Sequence, residues 1–97
     1  MRIISTRTLR EFWERHPQAE IPLRAWYAEV SNADWKTPAD ITAVHRNASF
    51  LAGNRVVFNI KGNDFRLIVA VRYTPGPMLV RFIGTHAEYD RIDAATV

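Results

Sequence analysis

The hydrophobic positions change period once along the chain, and the change divides it into two kinds of structure. As far as His45, apolar side chains recur at helical intervals. Arg2-Ile3-Ile4 suits a short opening strand; Ser5 or Thr6 then offers an N-cap, and Leu9, Phe12, Trp13 and His16 follow at spacings of three and four. Pro17 closes that helix. A second helix is expected near Pro22, a residue tolerated at the first helical position, with Leu23, Trp26, Tyr27 and Val30 at i, i+3, i+4 and i+7. Two amphipathic helices in succession predict a helical hairpin. Thr37-Pro38-Ala39-Asp40 combines a cap, a proline at the first position and an acid three residues after the cap, so a short third helix is expected, with Ile41 and Val44 as its buried pair.

Beyond Arg55 the period is two. Arg55 to Ile60, Phe65 to Tyr73 and Met78 to Ile83 are rich in Val, Ile, Phe and Tyr, as strands are. The turns Lys61-Gly62-Asn63-Asp64 and Thr74-Pro75-Gly76-Pro77 separate them, so the three strands form an antiparallel meander. Gly84 ends the last strand, and Thr85 with Glu88 supplies a capping box for a final helical turn through Tyr89. The order predicts an α+β domain, with N-terminal helices packed on one face of an antiparallel sheet and a short C-terminal helix.

Composition narrows this picture. A chain of 97 residues, 47% hydrophobic, holds one core and hence a single domain spanning residues 1–97. The absence of cysteine removes thiolate zinc sites and cysteine nucleophiles, and favours a reducing cytoplasm. The opening residues lack an apolar signal core and no apolar run approaches membrane-spanning length, so a soluble cytoplasmic protein with no membrane contact is expected. The net charge of +3 is too small to indicate nucleic acid by itself, and the basic residues form no run. A basic patch has to be assembled by folding.

Strand alternation shows how. Phe65, Leu67, Val69, Val71 and Tyr73 share one face of the middle strand and should meet the helices; Arg66, Ile68, Ala70 and Arg72 share the other. In the preceding strand Asn59 and Lys61 oppose Val56, Phe58 and Ile60, and in the last strand Leu79, Arg81 and Ile83 alternate with Met78, Val80 and Phe82. Matching the charged faces puts Asn59, Lys61, Arg66, Arg72 and Arg81 on one shallow concave surface. A solvated sheet face whose basic residues blunt edge strands has the same pattern. His86 and Tyr89, three apart on the final helix, share a side and can overhang that surface. Histidine titrates near neutrality and serves as general acid or base. His16 and His45 sit at helix ends with no partners suggested and read as packing residues. The histidines lack metal-ligand spacing, and no phosphate-cradling glycine loop or nucleophile elbow is present, so neither metal nor cofactor is expected.

The run Val56-Val57-Phe58-Asn59-Ile60-Lys61-Gly62-Asn63-Asp64-Phe65-Arg66-Leu67-Ile68, followed by Phe82-Ile83-Gly84-Thr85-His86-Ala87-Glu88-Tyr89-Asp90, resembles the HigB toxin family of the RelE/ParE superfamily. The likeness extends through Leu9-Arg10-Glu11-Phe12-Trp13 and Ala33-Asp34-Trp35-Lys36-Thr37-Pro38-Ala39-Asp40 to nearly the whole chain. Asp64, where relatives often carry a basic or neutral residue, and the proline-rich turn at 75–77 depart from the pattern. The resemblance implies a RelE-like fold, an mRNA interferase acting at the ribosome, and a HigA-type antitoxin with a helix-turn-helix domain. Its site residues fall on Asn59, Lys61, Asn63, Arg66, His86 and Tyr89. On this reading Lys61, Arg66, His86 and Tyr89 are catalytic, while Asn59, Asn63, Arg72 and Arg81 bind RNA. Two other readings fit the same surface: a ParE-like inhibitor of gyrase, and an RNA-binding domain without catalysis.

Overall fold

The computed structural model describes residues 1–73 and 75–97. Its elements are β1 (Ile3–Ile4), α1 (Thr6–Arg15), a single 3-10 turn (Pro17–Ala19), α2 (Glu20–Ser31), α3 (Pro38–Val44), β2 (Ser49–Leu51), β3 (Arg55–Ile60), β4 (Phe65–Val71), β5 (Met78–Thr85) and α4 (His86–Tyr89). The strands form one five-stranded sheet in the order β1-β5-β4-β3-β2. The meander β3-β4-β5 is antiparallel, as the alternation implies; β1 adds to β5 in parallel, which makes the sheet mixed. No helix among the described residues is long and apolar enough to cross a membrane.

The helical layer packs on one sheet face. Leu9 and Phe12 of α1, Leu23, Trp26 and Val30 of α2 and Ile41 of α3 meet Val56, Phe58, Phe65, Leu67, Val69 and Val71 in a single core. Tyr73, at the end of that apolar face, is packed against the same core, and burial pushes its phenol above the ordinary value of 10.0. Both expected capping boxes form. The Thr37 hydroxyl accepts from Asp40 N while Asp40 Oδ2 accepts from Lys36 N and Thr37 N, bonds that hold this carboxyl below its usual range.

Several details differ from the sequence pattern, each for a local reason. The second helix starts at Glu20, and Pro22 therefore lies within its first turn, where its missing N–H costs nothing. Ser5 occupies the N-cap position of α1 but has φ 72 and its side chain makes no capping bond. Val44 is 54% exposed, because α3 has only seven residues and turns a single side chain, Ile41, into the core. β2 is three residues long, too short for alternation to reveal it. The last strand runs one residue past Gly84, through Thr85. The expected turn at residues 74–77 includes Thr74, which lies outside the described residues.

The largest correction concerns β5. Ile68 pairs with Phe82 and Val69 with Val80, so Arg81 is an extra, unpaired residue in a bulge. The bulge resets the alternation. Met78, Val80 and Ile83 all enter the helix-side core, which places Ile83 on the face opposite to the one expected from strict alternation.

Candidate nucleic-acid interface

The second sheet face, which carries Arg66, lies away from the helical layer. It is free at one end only. Val57 and Ile68 are buried although neither belongs to the helix-side core. Residues after α4 fold back beside them: Arg55 Nη1 donates to the carbonyls of Ala94 (3.3 Å) and Val97, and Arg81 Nε donates to Val97 O (3.4 Å). Arg81 is thereby tied to the chain's last residues. Arg72 follows the other end of β4, six residues and roughly 20 Å of extended chain from Arg66. The structure therefore does not gather Arg72 and Arg81 with the remaining site residues.

The open end carries the rest. Asn59 of β3, Arg66 of β4 and Gly84 of β5 are cross-strand neighbours in one row. Arg66 Nη1 donates to Asn59 Oδ1 at 2.7 Å and to Asn63 Oδ1 at 3.1 Å, so two amide oxygens fix the guanidinium plane. These bonds leave Nε and Nη2 without a hydrogen-bond acceptor among the described residues, and a guanidinium binds a phosphate through two such parallel donors. Its Cζ stands 5.9 Å from the Tyr89 ring centroid, within cation–π range.

The β3–β4 turn supplies Lys61. This residue has φ 53 and Gly62 has φ 65, so the tight reversal uses left-handed backbone twice in succession, and glycine takes one of the two places without steric cost. Asp64 N closes the turn on Lys61 O at 3.1 Å. Lys61 Nζ lies 2.9 Å from Asp64 Oδ2, so part of the lysine charge is already answered within the turn. Both side chains are about half exposed, which keeps that pairing weak and exchangeable.

α4 is fastened against this turn. Thr85 and Glu88 form the reciprocal capping box, with Glu88 Oε1 accepting from Thr85 N at 2.8 Å. That backbone hydrogen bond, with smaller help from the Thr85 hydroxyl, His16 and Arg15, lowers the Glu88 pKa below 4.5. His86 N donates to Asp64 O at 3.2 Å, which joins the helix to the turn. The exposed His86 Nε2 lies 3.5 Å from Asp90 Oδ2. A Cβ built on Gly84 would stand 2.5 Å from Phe82 Cζ and 3.1 Å from Glu88 Oε1, so a larger residue here would have to displace the Phe82 ring.

One cluster thus joins Asn59, Asn63, Arg66 and Tyr89 through side-chain contacts, with Lys61 on the adjoining turn and His86 on the helix fastened to that turn through Asp64. Two acids beside it, Asp64 and Asp90, were not among the candidates. Asp90 had a legible signal, since it lies four residues after His86 on the same helical side. His16 and His45 pack as expected, yet each also stands near charge. His16 stacks on Phe12 at 4.5 Å and helps to lower the Glu88 pKa. His45 contacts the Phe58 ring at 5.0 Å and has Nε2 2.6 Å from Glu29 Oε1, close but not aligned as a hydrogen bond.

Comparison with known proteins gives a consistent result. A family model described as HigB_toxin, RelE-like toxic component of a toxin-antitoxin system, matches residues 19–92. The mRNA interferase HigB of Escherichia coli O6:H1 (strain CFT073) is 28% identical over 94 residues, covering 95% of this chain and 91% of that protein. The mRNA interferase toxin HigB of Escherichia coli K12 and the mRNA interferase HigB of Shigella flexneri are each 29% identical over 93 residues, 93% of this chain and 88% of theirs.

Proposed function

The chain belongs to the HigB toxin family, the RelE-like toxic components of toxin–antitoxin systems, and from that premise we propose that it is an endoribonuclease that cuts mRNA on the ribosome without a metal ion. The single observation that carries this reading is the Arg66 guanidinium, held by Asn59 and Asn63 with two donor positions turned to no protein acceptor among the described residues. The relatives' names, mRNA interferase, give the substrate class.

RNA contains its own nucleophile. Attack of a 2′-hydroxyl on the adjacent phosphorus needs removal of one proton, stabilisation of a phosphorane bearing additional negative charge, and protonation of the departing 5′-oxygen. Arg66 and Lys61 supply positive charge to the phosphorane, a contribution typically worth about 10²–10³ in rate for one such donor. His86 transfers a proton, typically worth about 10²–10⁴. Tyr89, against Arg66, orients the guanidinium or moves the second proton. Asn59 and Asn63 hold the arginine in the plane in which it meets the phosphate, and Arg72 and Arg81 would touch the strand away from the cut. A HigA-type helix-turn-helix antitoxin would silence the toxin in the cytoplasm.

The test is induction of the protein followed by mapping of transcript 5′ ends. Cuts within translated mRNA that leave 5′-hydroxyl ends are expected. Ends bearing 5′-phosphate would exclude 2′-hydroxyl attack. Intact mRNA together with a DNA-damage response would replace this reading by inhibition of gyrase.

A further inference from the structure

The two cations of the proposed phosphate clamp are presented differently. Arg66 is held by the amide oxygens of Asn59 and Asn63, which are neutral, so its whole charge remains available to a phosphate. Lys61 is held by a carboxylate: its Nζ donates to Asp64 Oδ2 at 2.9 Å, a charge-assisted bond. A phosphate that reaches Lys61 must take the place of that carboxylate.

The backbone of Asp64 is tied on both sides. Its N–H closes the turn on Lys61 O at 3.1 Å, and its carbonyl accepts from His86 N at 3.2 Å, which sets the residue between the lysine and α4. Lys61 has the longer side chain, so the ammonium swings and the short carboxylate stays. Once the ammonium has left, Asp64 is an unpaired anion two residues from Arg66, roughly 7 Å of extended chain. That lies inside the Debye length of about 8 Å at physiological ionic strength, so it repels a phosphate on the arginine as well.

We propose that Asp64 is a built-in competitor for the RNA phosphate at Lys61, which lowers the affinity for free RNA and so favours a strand that the ribosome already presents. This rests on the ribonuclease reading. A strand held beside the clamp meets Lys61 at high effective concentration and displaces the carboxylate, whereas a dissolved strand must do so from bulk solution. Both partners are about half exposed, which makes the competition graded.

The experiment uses the full chain and a short single-stranded 2′-O-methyl RNA, which lacks the nucleophile and stays uncut. Binding is followed by fluorescence anisotropy over a series of salt concentrations. Asp64→Asn should bind about two- to fivefold tighter, the range of an exposed ion pair. The slope of log K against log salt should steepen by up to about 0.7, one further phosphate contact on a single strand. Asp64→Ser, a second neutral residue with a different side chain, should behave alike. In a Lys61→Gln chain the gain from Asp64→Asn should shrink, because the pair is already broken. With cleavable RNA, Asp64→Asn should raise cutting of free strands relative to ribosome-bound ones by a similar factor. Unchanged affinity and slope in both folded variants, or an equal gain with and without Lys61, would overturn the competition; wild-type cuts on induction then leave the ribonuclease reading standing. No binding by any of these chains, with transcripts uncut on induction, would overturn both.

Discussion

Arg66 and Asn59 face each other across β4 and β3 in direct register, and their side chains meet as well, Nη1 to Oδ1 at 2.7 Å. The sheet thus presets the orientation of the cation that the proposed chemistry needs most. Arg66→Lys retains the charge and loses the planar fork. Cleavage should fall about 10²–10³-fold while circular dichroism stays unchanged. Asn59→Ala should cost less, because Asn63 still holds the guanidinium. Full toxicity in a folded Arg66→Lys protein would remove arginine from the mechanism.

His86→Ala should lower the cleavage rate by about 10²–10⁴, the usual worth of a positioned proton-transfer group. Tyr89→Phe separates the two roles open to the phenol. If Tyr89 moves a proton, that variant falls as far as His86→Ala; if the ring only packs on Arg66, activity is largely kept. Single-turnover cleavage on programmed ribosomes makes the distinction.

The capping box that begins α4 supports the site from outside it. Thr85→Ala should destabilise the fold by about 0.5–2 kcal/mol in urea or heat denaturation. Glu88 adds a pH signature. Its carboxyl releases its proton at lower pH in the folded chain than at the ordinary 4.5, so the folded state holds fewer protons in that interval. The stabilisation is complete above pH 4.5 and is lost as pH falls through the lower folded value. Glu88→Gln should weaken the protein at neutrality and match wild type in strong acid, as followed by denaturation midpoints across the pH range.

Ile68 is fully buried on the sheet face away from the helices. Ile68→Ala should therefore cost about 2–5 kcal/mol, as a core truncation does. A loss under about 0.5 kcal/mol, the range of an ordinary surface substitution, would show that residues 90–97 do not cover this face in solution.

The sequence carried the elements because their signals are local. Periods of three to four and of two separate the helices from the strands, and the proline at 38 and the acids at 40 and 88 mark helix starts that form as expected. It also implied that Asn59 and Arg66 come together, since they flank a short turn and could not be far apart once β3 and β4 paired. Ile83 was misread because a bulge depends on how β5 meets β4, and no residue within β5 announces it. Arg72 and Arg81 lie away from the clamp for a related reason: alternation fixes the face of a side chain but not its place along that face. Local preferences of backbone and side chain determined the parts. Register, coverage and cavities depend on residues far apart in the chain, and only their packing decided them.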